Sequence, residues 1–286
     1  MPESGVDGRA ARRRFERAAA TYAGASRLEA EIGTRMLERL DYVRLAPSRV
    51  LDAGSGPGRD ARALAKRYPK AQVIALDFSR RMLREDRGFL SRLFARNEKH
   101  LLCADFERLP LAEASVGLVW SNMALHWAVN PLVALREFHR VLAPEGLLMF
   151  STLGPDTLGA LREAAGTERM HSFADMHDLG DMLLAAGFSE PVMDMEQVTI
   201  LYADGAALLA DLRASGQTSA RAGRSRGLSG RRFRAALEER LAAQLRDGKL
   251  PARYEVVYGH AWKAAPRRRP AQSADGRSIV QFQRRP

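Results

Sequence analysis

An apolar run that breaks into alternate glycines, VLDAGSGPGRD at residues 50 to 60, sits near the start of a regular alternation of strand-like and helix-like segments. Glycine lacks the Cβ that bars left-handed dihedrals, so such a break suits a chain turning sharply out of a strand into a helix. The pattern around it fixes the type of sheet. Leu28, Ile32, Met36, Leu37 and Leu40 recur at helical spacing and predict an amphipathic helix before the first strand. Strands are then expected at Arg49 to Ala53, Gln72 to Leu76, Leu101 to Ala104, Val116 to Ser121 and Gly146 to Thr152. Helices are expected between them at Asp60 to Arg67, at Ser79 to Leu90 with Ser79 as N-cap, and at Leu132 to Leu142. Strands alternating with helices predict an α/β fold, a doubly wound parallel sheet covered on both faces.

Beyond Thr152 the rhythm changes. Asp156 to Ala164, Leu179 to Ala186 and Ala206 to Ala214 read as helices, and Pro191 to Tyr202 as a longer strand. After a link rich in glycine and arginine, Ser229 is placed to cap a helix carrying Phe233, Leu237, Leu241 and Leu245 on one face. Tyr254, Val256, Tyr258, His260 and Trp262 alternate, as on one face of a strand, with His260 a satisfied core residue. A short closing strand is expected at Ile279 to Phe282. The expectation is one domain over residues 1–264 with its core at 45–155, a helical insertion at about 204–247 before the last main strand, and a basic tail at 265–286.

Composition narrows the setting. A hydrophobic content of 46% suits a chain of 286 residues with a substantial core. The single cysteine, Cys103, lies in the apolar run HLLCAD and is expected to be a buried structural thiol, in keeping with a reducing compartment. The N-terminus is charged and no segment has the roughly twenty consecutive apolar residues of a membrane span, so a cytoplasmic location with no membrane partner is expected. The net charge of +11 is uneven: residues 204–286 hold 18 Lys and Arg against 7 Asp and Glu, and the rest of the chain balances. An acidic partner or a solvated face would each account for it.

The glycine spacing is not that of a dinucleotide site. G-x-G-x-x-G would put its third glycine on Arg59, and no G-K-[ST] follows. The spacing is D-x-G-x-G-x-G from Asp52 to Gly58, and a carboxylate at the mouth of the loop would repel a pyrophosphate. Asp52 asks for a cation while Gly54, Ser55, Gly56 and Gly58 let backbone approach a flat ligand. S-adenosylmethionine, a nucleoside joined to a cationic amino acid, meets both demands. Asp77 then falls where an acid would accept the ribose hydroxyls, and Asp105 where one would accept the adenine amino group. Phe106 is available to pack on the base, and Phe78 beside Asp77 and Asn122 after the fourth strand are further candidates for holding the cofactor.

With DFSRRML at 77 to 83, these residues resemble the class I S-adenosylmethionine-dependent methyltransferases, which implies a seven-stranded Rossmann-like sheet with a reversed last strand. The flanks RRRFERAAATY, SNMALHW, FSTLGPDTLGALREA, HSFADMHDLGDMLLAAGFSEPVMDME, LLADLRASG and YEVVYGHAW resemble the biotin-pathway malonyl-[acyl-carrier protein] O-methyltransferases. That resemblance implies methyl transfer to the free carboxylate of a malonyl-phosphopantetheine thioester on an acidic carrier protein, beneath a lid made by Tyr22 with the N-terminal helix and by the insertion. Arg213 is the preferred carboxylate clamp and His126 a second site-facing group that could fix the carboxylate by charge or by hydrogen bond. The His-Trp pair and the G-x-DTL segment also occur in a related family of respiratory-complex assembly factors that modify an arginine, which stays open as an alternative. So do a non-methylating binding protein and an RNA or small-molecule methyltransferase, although a nucleic-acid partner is not favoured because the aromatics beyond residue 203 fall on core-facing positions. His171, Asp175, His177, Asp178 and Asp181 match no closed zinc spacing, so no metal is expected, and Asp178 is placed to cap the helix from Leu179.

Overall fold

The computed structural model describes residues 5–85, 100–224, 230–265, 271–272 and 278–279. Its centre is a seven-stranded sheet. β1 (Arg49–Ala53) pairs in parallel with β2 (Gln72–Asp77) and β4 (Val116–Ser121); β2 pairs with β3 (His100–Cys103), and β4 with β5 (Leu142–Leu153). β7 (Leu250–Trp262) runs antiparallel between β5 and the edge strand β6 (Ser189–Tyr202). The order is β3-β2-β1-β4-β5-β7-β6, the expected seven strands with one reversed.

Successive residues of a strand point to opposite faces, and here both faces are covered. Val50, Leu118 and Trp120 pack with Ile32 and Met36 of α2 (Arg27–Arg39) and Leu64 of α3 (Arg59–Arg67). Leu51, Val119 and Phe150 pack on the other side with Leu135 and Phe138 of α5 (Pro131–Val141) and Leu183 of α7 (Met176–Ala185). The helices α1 (Gly8–Ala25) and α4 (Arg80–Glu85) pack together at the C-terminal ends of the strands. The strand order reverses between β1 and β4, and a crevice at that switch point is where open α/β sheets bind ligands.

Several boundaries differ from the sequence expectation. The helix expected from Asp156 begins later, as α6 (Gly159–Ala165), because Asp156 N–H is held by the Glu255 carboxylate at 2.7 Å and Leu158 N–H by Arg253 O at 2.7 Å. These bonds bind the segment to β7 and put Leu158 in the left-handed region. The cap of α7 is Asp175, which accepts from His177 N–H at 2.8 Å, rather than Asp178, because the helix starts at Met176. β6 continues back through Pro191, where its register with β7 shifts, a place in an edge strand that tolerates a missing N–H. α8 (Gly205–Ala214) and α9 (Arg231–Ala242) lie between β6 and β7 along the chain.

Ser229, the end of the expected 79–90 helix beyond Glu85, most of the basic tail, and residues 280–282 of the expected closing strand lie outside the described residues. Among the described residues no helix is long and apolar enough to cross a membrane.

Candidate cofactor and acceptor site

β1 ends on Asp52 and Ala53, and the chain turns through Gly54, Gly56 and Gly58 with φ of +84°, +53° and +77°. At Gly54 a Cβ would lie 2.4 Å from the Ala124 Cβ, so both dihedral and space require glycine. Asp77 at the end of β2 ties the loop down: its Oδ2 accepts from Gly56 N–H at 2.9 Å and its Oδ1 from Ser79 N–H at 2.7 Å. Burial pushes the Asp77 carboxyl up to about 6, against the pull of those two donors.

Asp52 is 1% exposed, and its Oδ2 has no hydrogen-bond partner among the described residues. Burial, and then the neighbouring Asp60 carboxylate, hold its acid well above the ordinary range. A buried carboxylate oxygen without a donor is costly unless a ligand supplies one.

Beside the loop opens a cavity of about 530 Å³, walled by Phe15 of α1, Phe78, Asp105, Phe106 and Trp127. Phe15 packs on Phe78 with ring centres 5.7 Å apart and meets Trp127 edge-on at 5.0 Å. Asp105 is exposed on the wall, its Oδ1 accepting from Glu107 N–H at 2.9 Å. Cys103 corrects an expectation: it is exposed and opens onto this cavity, because it ends β3, which among the described strands has only β2 as a neighbour.

Asn122 lines the cavity, but its amide is committed to the protein. Its Nδ2 donates to Asp60 Oδ2 and to Glu29 O, both at 2.8 Å, and its Oδ1 accepts from Ser151 Oγ at 2.8 Å. Trp120 Nε1 donates to the same Asp60 oxygen at 3.2 Å. The network joins α2, α3, β4 and β5 behind the glycine loop, so Asn122 holds the walls in place. Above the loop the half-buried Tyr22 ring sits 3.5 Å from where a Gly56 Cβ would be. Burial, and then Glu29, Asp77, Asp60 and Asp52, keep its hydroxyl protonated.

A second chamber of about 200 Å³ lies beyond Trp127, which lines both. Its walls are largely apolar, with Leu158, Phe173 and Leu212 among them, and its polar groups include His126, His171 and Arg213. His126 follows β4 in a short 3₁₀ turn, and its Nδ1 lies 3.3 Å from Thr152 Oγ1. Burial, then His171, drive its pKa down to about 3, so near neutral pH the imidazole carries no charge and can act only by hydrogen bonding. His171 Nε2 accepts from Ala220 N–H at 2.9 Å, which leaves the proton on Nδ1. Burial, then Arg221 and Arg14, take His171 to about 4. Arg213 is exposed at the rim, and its guanidinium makes no ion pair or hydrogen bond among the described residues.

A methyltransferase domain family model matches residues 51–150. Among solved structures, the YcgJ protein of Bacillus subtilis superposes with a TM-score of 0.59 at 16% identity, covering 80% of this chain and 97% of that one. A phosphoethanolamine N-methyltransferase 2 of Haemonchus contortus, solved with S-adenosylhomocysteine, gives 0.51 at 17% identity, over 82% of this chain and 52% of that one. At such identities the likeness is one of fold. Full-length relatives decide the family: the malonyl-[acyl-carrier protein] O-methyltransferase of Methylovorus sp. is 51% identical over 98% of this chain and 96% of its own length. That of Gallionella capsiferriformans is 50% identical over 98% of each. The chain belongs to the malonyl-[acyl-carrier protein] O-methyltransferase family.

The fold draws the residues singled out in the sequence into two neighbouring sets. Asp52, Gly54, Ser55, Gly56, Asp77, Phe78, Asp105, Phe106, Asn122 and Tyr22 line the cavity beside the loop or the contiguous recess behind it, and Gly58 closes that loop. His126 and Arg213 line the second chamber. Of the apparent ligand cluster at 171 to 181, His171 faces that chamber while His177 sits exposed against Asp175 at 2.8 Å. Phe15, Ala124 and Glu29 carry no sequence signal for the place they take. Phe15 lies in an arginine-rich helix, and the other two are ordinary helix and loop residues until the chain folds over the glycine turn.

Proposed function

We propose that this protein transfers a methyl group from S-adenosylmethionine to the free carboxylate of a malonyl thioester borne on an acyl carrier protein, the disguised starter of biotin synthesis. The observation that carries the reading is half identity along nearly the whole chain, through the segments that wall the acceptor chamber as well as the sheet. The sheet alone would be shared with many chemistries.

The residues present fit the cofactor. The unpartnered Asp52 oxygen is matched by an ammonium, the glycine cradle by a ligand lying close to backbone, and the aromatic cavity by a purine. We assign Asp52 to the amino-acid end, Asp77 to the ribose, Asp105 with Phe106 and Phe78 to the adenine, and Tyr22 to covering the loop. When bound, the cofactor supplies an electrophilic methyl on a positively charged sulfur.

The chain's own contribution is placement. A malonyl carboxylate, with a pKa of roughly 4, is ionised near neutral pH and requires no general base. Arg213 at the rim turns its guanidinium toward one face of the acceptor, and neutral His126 offers a hydrogen bond from within. Trp127 and Phe15 exclude water where the two chambers meet. Holding donor and acceptor in line can lower a barrier by roughly 7 to 11 kcal/mol.

Incubation with methyl-labelled S-adenosylmethionine and malonyl-carrier protein tests the reading, with base-labile label on the carrier expected. Cofactor binding without such label would return the arginine-modifying relatives as the better reading.

A further inference from the structure

The charge count by sequence places the basic excess after residue 203, but among the described residues folding also gathers arginines around the first helix. α1 carries Arg9, Arg12, Arg13, Arg14 and Arg17 against a single acid, Glu16. The segment after α8 folds back on this helix: Asp7 N–H donates to Ala220 O at 2.7 Å, and Ala222 N–H to Gly5 O at 2.7 Å. Arg221 and Arg224 are thereby added to the group. One acid answers Arg224, through Asp7 at 2.9 Å. Arg13 and Arg17 are exposed and make no ion pair at contact distance among the described residues.

Arg14 is the informative member. Its Nη1 donates to Thr218 Oγ1 at 2.6 Å, while its Nε is buried with no partner among the described residues. Burial, and then the charges of Arg224, Arg17 and Arg13, disfavour its cation. Thr218 and Ser219 line the acceptor chamber, and Arg221 donates to Met170 O on the same wall. A half-buried guanidinium among like charges, bonded to a chamber-lining threonine and with no carboxylate at contact distance among the described residues, is a costly arrangement for a monomer and a favourable one for an anion.

We infer that Arg13, Arg14, Arg17, Arg221 and Arg224 form the docking surface for the substrate's carrier, gripping the phosphodiester of its phosphopantetheine arm and the acidic body behind it. The inference rests on the carrier-linked substrate proposed above and goes further in assigning the grip to α1 and the 218–224 segment rather than to the C-terminal tail. Arginine suits the task because its fork matches phosphate oxygens in pairs.

The test measures binding as well as turnover. Fluorescence anisotropy of labelled holo-carrier, which has the arm, and apo-carrier, which lacks it, is compared for the wild type and for the double variant Arg13→Glu/Arg17→Glu. Holo-carrier should bind more tightly than apo-carrier, more weakly as salt rises, and about tenfold more weakly to the variant. The KM for a short malonyl thioester without phosphate should not move. A milder Arg13→Ala/Arg17→Ala pair serves if charge reversal disturbs α1. Carrier binding indifferent to these changes overturns the inference, as does a mixed-sequence RNA that binds more tightly than the carrier and is lost with the same arginines. A wild type that grips the carrier through the arginines yet leaves it unlabelled refutes the proposed reaction alone. One that labels the carrier with a KM the variants share refutes the docking surface alone.

Discussion

The two chambers that meet at Trp127 are built from opposite electrostatics. Around the glycine loop the fold buries Asp52, Asp77 and Glu29 and leaves one carboxylate oxygen without a donor. Beyond Trp127 the chamber holds two histidines kept neutral by burial, with Arg213 at its rim. A cationic donor and an anionic acceptor would each find complementary charge on its own side. That contrast locates a source of rate. Transfer between them removes both charges, so a junction lined by Phe15 and Trp127, poor in water, favours reaction once both are held.

Asp52→Asn should separate the two regions most sharply. Cofactor affinity, read by calorimetry with S-adenosylhomocysteine, should fall by about a hundredfold, the scale of a charged hydrogen bond lost from a buried site. The ligand-free protein should melt at a higher temperature, because a buried acid crowded by Asp60 is gone. A fall in both would mean that Asp52 serves the fold alone. Arg213→Ala probes the other side: a loss of about thirtyfold in kcat/KM for the malonyl substrate, with cofactor affinity unchanged. An unaltered kcat/KM removes Arg213 from the site.

Smaller effects sharpen the contrast. Asp77, raised to about 6 by burial, is protonated below that pH and then accepts hydrogen bonds poorly, so cofactor affinity should weaken by about tenfold between pH 7 and 5. A flat profile would deny Asp77 a ligand. Glu29, pushed by burial to about 7, holds a proton in the folded state that the unfolded chain releases above about 4.5. The folded state therefore loses stability as pH rises through that window, and the loss is complete above 7. Glu29→Gln, which keeps an acceptor for the Gln217 amide, should raise stability by about 1 kcal/mol at pH 8 and leave it unchanged at pH 4, by thermal melts. Equal melting at both pH values would place the proton elsewhere.

Legibility follows the range of the interactions. The glycine loop and the acids at the ends of β1 and β2 and just past β3 can be read because each depends on its own few residues of chain: a turn demands glycine, and a strand end carries its side chain to the crevice. The exposure of Cys103 is not legible in sequence, because an apolar run says nothing of how many neighbours its strand will have. Asp178 lost the cap to Asp175 because two acids three residues apart offer equal caps until packing fixes the helix start. Asn122 can be placed just past the fourth strand from sequence, whereas its bonds to Asp60, Glu29 and Ser151 reach residues from three separate elements.

The doubly wound sheet, the glycine loop and the carboxylates at the strand ends are legible along the chain, since periodicity, glycine and a carboxylate act locally. That His126 is uncharged, that α1 lies over the cavity beside the loop, and that arginines two hundred residues apart share one surface follow from folding alone. Desolvation and long-range charge depend on what surrounds a group in space, and the order of residues along a chain does not contain that.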